Sequence, residues 1–388
     1  MVRRTDWPAS ISRPVATPIQ PSVVYASDCP DTLDGQYEDG PDGYTYSREG
    51  HPNAAVLAEK LDAMEGGQNG IILSSGMAAV SAAMLGVLKA GDHVIGGDQL
   101  YGRSLRLLEE TLPQLGIETS TADPTDIGAF AKAVRANTKM ILVEVVSNPT
   151  LRVADMKGIA ALCAEKGILL VVDNTFTTPE AYRPLEEGAD IVLHSVTKLL
   201  AGHSDAMLGY VVARDPEVME KITTFAVTTG MTASPFDCWL AERGLFSFAL
   251  RYKAASENAQ RLGDHIAGLK GVKRVLYPTR SDHPDHNRAG ELLGQMGGNM
   301  LSFEVEGGRA AANALTKAAR NIAFAPTLGD IATTLSHPPS SSHRALSEAA
   351  RGEIGITEGF FRVSVGVEPI DVLCAEFEEA IRASQGGT

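Results

Sequence analysis

Three short segments carry side chains whose types and spacing could do chemistry together. His194-Ser195-Val196-Thr197-Lys198 closes an apolar run and sets two hydroxyls beside a lysine. A lysine ammonium that loses part of its water titrates low enough to form a Schiff base with an aldehyde, and the hydroxyls suit a phosphate. A second run ends in Asp173-Asn174-Thr175. A carboxylate at the end of an apolar strand is costly to bury unless it meets a cation or a donor. A protonated ring nitrogen would be such a partner, although a helix cap would give the same residue. The third segment, Ser74-Ser75-Gly76-Met77, stands between an apolar run and a helical stretch. A helix N-terminus offers free N–H groups and the positive end of the dipole, and glycine lets an anion approach the backbone. That describes a phosphate seat, and an ordinary serine N-cap reads the same way.

The elements that would position these residues alternate along the chain. Apolar runs bounded by turn residues predict strands at 70–73, 93–95, 140–144, 168–173 and 190–194. Helical spacing between them predicts helices over 78–88, 104–115, 127–136 and 155–166. This alternation predicts an α/β fold with a mostly parallel sheet and helices on both faces. Ligands of such sheets bind beyond the carboxyl ends of the strands, where Gly76, Asp173 and Lys198 all fall. A Schiff-base lysine, a carboxylate for a pyridinium nitrogen and a phosphate seat are the three anchors of pyridoxal 5′-phosphate. Neither G-x-G-x-x-G nor G-x-x-x-x-G-K-[ST] occurs, so a Rossmann dinucleotide site and a P-loop lack support.

Residues 1–49 read as an N-terminal arm, 50–245 as the large cofactor domain and 246–388 as a smaller C-terminal α+β domain. In the arm, Pro14, Pro18 and Pro21 break any period, and Asp31–Gly43 reads as an acidic, glycine-rich loop. The small domain reads as a helix over 250–269, strands at 272–277, 300–305 and 360–367, a helix over 309–319, a polar loop over 327–344 and a final helix over 371–383.

Composition excludes several classes. With 388 residues, 44% of them hydrophobic, the chain can bury a large core and is neither a disulfide-stapled miniature nor a disordered chain. A net charge of −14 argues against nucleic-acid and anionic-membrane partners. No apolar run is long enough to span a bilayer, and Arg3-Arg4 lack the apolar stretch of a secretory signal. Cys29, Cys163, Cys238 and Cys374 form no C-x-x-C pair and read as reduced thiols of a cytoplasmic protein. His283 and His286 with Asp282 and Asp285 lack further ligand spacing, so no metal is expected. Cys238, His194 and His203 read as structural.

At this level of detail the chain resembles the Cys/Met-metabolism (transsulfuration) family of pyridoxal-phosphate enzymes. The family includes cystathionine γ-synthase, cystathionine β- and γ-lyases, methionine γ-lyase and homoserine-ester sulfhydrylases. The matching motifs are Tyr44–Asn53, Ser75–Ala79, Tyr101-Gly102, Ser147-Asn148-Pro149, Val172–Phe176, Ser195–Lys198 with Gly202–Asp205, Ser234–Asp237, Arg243–Leu245 and Phe361–Gly366. The resemblance implies a fold-type-I enzyme that eliminates or replaces a β- or γ-substituent of a sulfur-containing or O-acyl amino acid. It implies that Lys198 holds the cofactor and then serves as the acid–base amine, with Asp173 on the pyridine nitrogen and Tyr101 stacked on the ring. Gly76, Met77, Thr175, Ser195 and Thr197 would complete the cofactor site. Tyr46 and Arg48 would come to the phosphate from a neighbouring subunit of a homotetramer, a dimer of dimers. Arg362 would clamp the substrate carboxylate, near Asn148.

Three positions depart from the family pattern. Arg103 replaces a small residue or cysteine, Thr327 replaces a serine, and Ala332 stands where enzymes acting on cystathionine carry an acid. Arg103 suits a substrate with a distal anionic or ester group. The reading is therefore cystathionine γ-synthase-like or methionine γ-lyase-like γ-chemistry. The alternatives are a cystathionine β-lyase, an aminotransferase or a non-catalytic protein on the same fold.

Overall fold

The computed structural model describes residues 10–38, 43–344 and 346–386. Its larger sheet has seven strands: β1 (Ile71–Leu73), β2 (His93–Gly97), β3 (Glu118–Ala122), β4 (Thr138–Glu144), β5 (Leu169–Asp173), β6 (Ile191–Ser195) and β7 (Gly209–Ala213). Their spatial order is β1-β7-β6-β5-β4-β2-β3. Strands β6, β5, β4, β2 and β3 pair in parallel, and β7 runs antiparallel to both neighbours. Ile141, Val143, Leu170, Val172 and Val192 pack into the core on one face, while Met140, Leu142, Val171, Ile191 and Leu193 pack into the core on the other. Strands buried on both faces have no polar side to show, which is why they stand out as unbroken apolar runs.

The sequence reading misses β3 and β7. Strand β3 is an edge of Glu-Thr-Ser-Thr-Ala with mostly half-buried or exposed side chains, so nothing apolar marks it. Strand β7 is wholly buried but offers only Tyr210-Val211-Val212 between Gly209 and Ala213. The stretch expected to be a loop at Asp31–Gly43 contains a helix, Pro30–Glu38, with no buried side chain. Proline at its first position and Asp31 in its first turn favour helical entry and match the dipole. Residues 39–42 of that stretch, and residues 1–9 of the leader reading, lie outside the described residues.

The second sheet has β8 (Val272–Leu276), β9 (Met300–Val305), β10 (Ala323–Phe324), β11 (Thr334–Ser336) and β12 (Phe360–Ser364), in the order β10-β11-β12-β9-β8. Strand β11 interrupts the stretch expected to be a polar loop over 327–344. Its three residues are buried, and Leu335 joins the apolar cluster of this sheet. Phe303 anchors that cluster, stacked on Phe361 at 5.5 Å and meeting Phe377 edge-on at 6.1 Å.

The helix Phe248–Ala267 joins the two sheets. Phe248 and Tyr252 belong to the larger core, whereas Ala259, Leu262 and Ile266 belong to the smaller one. From this helix Arg251 donates to the carbonyls of Leu199, Leu200 and Gly244 at 2.9, 3.1 and 3.0 Å. These bonds satisfy its buried guanidinium and fix the backbone just after Lys198.

Candidate active site

The carboxyl ends of β1, β5 and β6 meet in one cleft, where Gly76, Met77, Asp173, Thr175, Ser195, Thr197 and Lys198 are all half-buried. Ser75 caps the helix Gly76–Leu85, its Oγ accepting the Ala78 N–H at 3.1 Å. A Cβ on Gly76 would stand 2.7 Å from Ser195 Cβ, so the helix start touches Ser195 only because position 76 has no side chain. Met77 Sδ receives the Ser104 hydroxyl at 3.9 Å.

Asp173 Oδ1 accepts the Thr175 N–H at 3.0 Å and the Thr175 hydroxyl at 2.5 Å. Thr175 Oγ1 in turn accepts the Ser195 N–H at 2.9 Å, which ties β5 to β6. Burial raises the Asp173 pKa, and the two Thr175 bonds oppose that rise. Thr197 Oγ1 accepts the Leu208 N–H at 2.9 Å and donates to the Leu208 carbonyl at 3.2 Å. Its hydroxyl clips the lysine turn to the segment entering β7.

The second sheet supplies the opposite wall. From β12, Arg362 Nη1 donates to Asn148 Oδ1 at 2.7 Å and Nη2 to the Thr327 carbonyl at 2.9 Å. Lys198 Nζ donates to Thr327 Oγ1 at 3.5 Å. Gly329 packs against the lysine backbone: its φ is +80°, and a Cβ there would meet Leu199 N at 2.5 Å. Ser302, the cross-strand partner of Arg362 on β9, donates to the Pro149 carbonyl at 2.7 Å and so holds the Asn148 loop. Burial lowers the Lys198 pKa, and the Arg362 charge lowers it further. Burial also pushes Arg362 down to about 10, against the pull of Tyr101 and Glu144.

Most of the expected residues therefore converge within one chain, but Tyr46 and Arg48 do not join them. The Arg48 guanidinium lies 5.1 Å from the centre of the Tyr46 ring and pairs with Glu49 at 3.2 Å in an exposed position. Tyr101 is 41% exposed at the lip of the cleft, its N–H given to Glu144 Oε1 at 2.7 Å. Arg103 projects from the next turn and is exposed.

The candidate metal loop is committed elsewhere. Asp285 accepts Arg152 Nε at 2.6 Å and Nη2 at 3.1 Å, and its own N–H goes to His283. Among the described residues no group of three or more His, Cys, Asp or Glu gathers as a ligand set. Cys238 is fully buried, His194 bonds Glu65, and His203 Nδ1 meets the Ala201 carbonyl at 2.7 Å.

Two residues near the site escape the sequence reading, Glu144 and His343. Glu144 gives the same signal as Asp173, a carboxylate closing an apolar strand. His343 gives none. Burial, then the charges of Arg362 and Arg351, push its imidazole down to about 4. An unfolded histidine titrates near 6.5, so the unfolded chain takes up this proton first. The corresponding stability is present above about pH 6.5 and is lost as pH falls toward 4, about 2 kcal/mol by pH 5. Thermal melts of His343→Asn are therefore expected to lose less between pH 7.5 and pH 5 than those of the unsubstituted chain. An identical loss in both proteins would remove His343 as the titrating group.

A lysine, a carboxylate and a helix-start phosphate seat at the strand ends of a mostly parallel sheet define the class of fold-type-I enzymes that use pyridoxal 5′-phosphate. One observation in this structure fits that cofactor, the cradle kept open by Gly76 beside Ser195. The buried Arg362 Nε, which meets no partner among the described residues, leaves a donor for a second anion. The description "Cys/Met metabolism PLP-dependent enzyme" matches residues 2–382, and the chain belongs to that family. The chain is 41% identical to the cystathionine β-lyase of Bacillus subtilis (strain 168) over 87% of this chain and 86% of that one. A cystathionine γ-synthase from Xanthomonas oryzae pv. oryzae, solved with aminoacrylate and cysteine, superposes with a TM-score of 0.90 at 35% identity, over 96% and 94% of the two chains. A Campylobacter jejuni structure carrying N′-pyridoxyl-lysine-5′-monophosphate superposes at 0.91 with 28% identity, over 95% and 96%. This chain is thus a PLP-dependent enzyme of transsulfuration chemistry.

Proposed function

We propose that the enzyme acts at the γ-carbon of an amino acid whose distal group is an ester or an anion, as an O-acyl-homoserine has. The observation that supports this reading is the pairing of an exposed Arg103 beside Tyr101 with an alanine at position 332. Ala332 can only give its N–H to Asp330 Oδ1, at 2.8 Å, and offers nothing to a distal ammonium.

In this reading Arg362 holds the α-carboxylate with its free Nε and the second N–H of an Nη, while the other Nη hydrogens stay on Asn148 and Thr327. A guanidinium fork grips a carboxylate at two points and so fixes the Cα–H direction. Lys198 Nζ removes the Cα proton; its lowered pKa leaves a larger share of the amine neutral. Asp173 would keep a ring nitrogen protonated, and Ser195 with the Gly76-Met77 amides would take the phosphate. Bound pyridoxal phosphate supplies the electron sink for the pair left at Cα. Expulsion of a γ-substituent needs a second electron pair, so Lys198, once it has passed on the first proton, also takes one from Cβ. The Cβ–H pair becomes the Cβ–Cγ double bond as the bond to the leaving group breaks, and Lys198 can return a proton afterwards.

Arg48 and Tyr46 are assigned to the site of a neighbouring subunit, in a homotetramer built as a dimer of dimers. Exposed Ile11, Val15, Val23 and Val24 on the same arm suit a segment that orders against a partner. The residues 1–49, 50–245 and 246–388 are taken as arm, cofactor domain and small domain. Free thiols at all four cysteines suit a cytoplasmic location.

The second reading, a carbon–sulfur lyase acting on cystathionine, is favoured by the name of the 41% identical relative. A substrate panel separates the two. O-acyl-homoserines with and without thiol, cystathionine, methionine and cysteine are scored for oxoacid, thiol and new thioether. The O-acyl-homoserines should give the highest kcat/KM, and Arg103→Ala should lower it about five- to tenfold for these alone, with a strong salt dependence. Cystathionine as the best substrate, with Arg103→Ala silent, would establish the lyase reading instead.

A further inference from the structure

Glu144 is the one carboxylate at the site to which the chemistry above gives no role. It closes β4 as Asp173 closes β5, and the parallel register pairs the two residues directly. Strands lie about 4.8 Å apart, so the carboxylates start from adjacent backbone positions at the same sheet edge. Glu144 Oε1 accepts the Tyr101 N–H at 2.7 Å, the last N–H before the helix Gly102–Arg106. Its Oε2 is sealed from solvent and has no partner among the described residues. Arg362 stands nearby, but its fork is occupied by Asn148 and Thr327 rather than by Glu144.

Two carboxylates so placed cannot both ionise cheaply, because each charge repels the other where little water screens them. One of the two is therefore favoured to carry a proton. Asp173 receives two donors from Thr175, which favour its ionised form. Glu144 receives one. The charged groups acting on Glu144 are Asp173, which disfavours its charge, and Arg362, which favours it more weakly. Burial adds to the first, and the Glu144 pKa is driven well up.

We propose that Glu144 is a positioning residue that works as the uncharged acid. Its Oε1 pins the Tyr101 backbone at the lip of the cleft, and its proton leaves Asp173 as the only anion of the pair. The inference rests on the roles given to Tyr101 and Asp173 above. It also fits the orphaned Oε2, because an unpartnered neutral oxygen costs less to bury than an unpartnered carboxylate.

Glu144→Gln and Glu144→Ala test it in the cofactor-loaded enzyme. Gln is neutral, has nearly the same shape and keeps an acceptor oxygen for the Tyr101 N–H. Its kcat, KM and cofactor dissociation constant should stay within about threefold of the unsubstituted enzyme. Ala removes the acceptor and should lower kcat about tenfold or more and weaken cofactor retention on dialysis, with KM moving less. A Gln variant as impaired as Ala would show that the charge, not the acceptor, matters and would overturn the proposal. An Ala variant with unchanged kcat and cofactor retention would overturn it too. The thermal midpoint of the cofactor-free proteins separates misfolding from mispositioning, since rescue by Gln at equal midpoints has no purely structural explanation. Retained turnover in Lys198→Ala, run in parallel, would instead strike at the site assignment as a whole.

Discussion

Lys198→Ala is expected to lower turnover by at least about a thousandfold while leaving the fold intact. The lysine side chain makes one weak bond, to Thr327 Oγ1 at 3.5 Å, and joins no apolar cluster. What packs tightly at this position is its backbone, against Gly329 and under the Arg251 guanidinium that holds Leu199 and Leu200. Alanine preserves those contacts, so the thermal midpoint should move little. It removes the amine to which both the covalent attachment and the Cα proton are assigned. The visible absorbance of the attached cofactor should disappear, and added cofactor should wash out on dialysis. Retention of more than a few per cent of turnover would sink the assignment of Lys198. The same variant tests the shared site. Mixed with Arg48→Ala, it should regain activity, because a hybrid dimer has one site with Lys198 from one chain and Arg48 from the other. Random mixing gives hybrids in half the dimers with one good site each, a ceiling of about a quarter of the unsubstituted activity. No recovery in demonstrably mixed dimers would return Arg48 to its own chain.

What the sequence discloses here follows from what each residue is buried against. Strands β4, β5 and β6 are legible because both faces meet a core, and the residues that close them are legible because a polar group there breaks an apolar run. Glu144 and Asp173 give that signal equally. Asp173 is picked out because Lys198 follows it by one strand–helix–strand unit, whereas Glu144 acquires its meaning only from its bond to Tyr101, 43 residues away. Arg362 lies deeper still. Its partner Asn148 is 214 residues upstream, and no local period links a β12 arginine to a loop after β4. The family motif Phe361–Gly366 points to the residue, and the tertiary fold alone shows what its nitrogens touch. His343 is silent in the sequence because its displaced pKa comes from burial and two distant arginines. Strand β3 is silent because an edge strand can be polar throughout.

Arg362→Lys is expected to lower kcat/KM for any amino-acid substrate by about a hundredfold or more, with KM raised and kcat lowered together. The charge survives the change, so a purely coulombic role would leave most of the activity. The geometry argues otherwise. One guanidinium reaches Asn148 Oδ1 with Nη1 and the Thr327 carbonyl with Nη2, and keeps Nε free in a buried position. An ammonium is a point donor on a flexible stem and cannot hold both walls of the cleft while presenting a fork to a carboxylate. In the lysine variant either the Asn148 oxygen or the Thr327 carbonyl loses its donor, at a cost of about 1–3 kcal/mol where water cannot replace it. Thr327 also receives Lys198 through its hydroxyl, so a displaced loop would misplace the base as well as the substrate. That coupling is why kcat should fall along with the rise in KM. Steady-state kinetics on the best substrate of the panel, beside the thermal midpoint, give the answer. A raised KM with kcat unchanged would mean that Arg362 only binds. Unchanged values of both would mean that another residue holds the α-carboxylate.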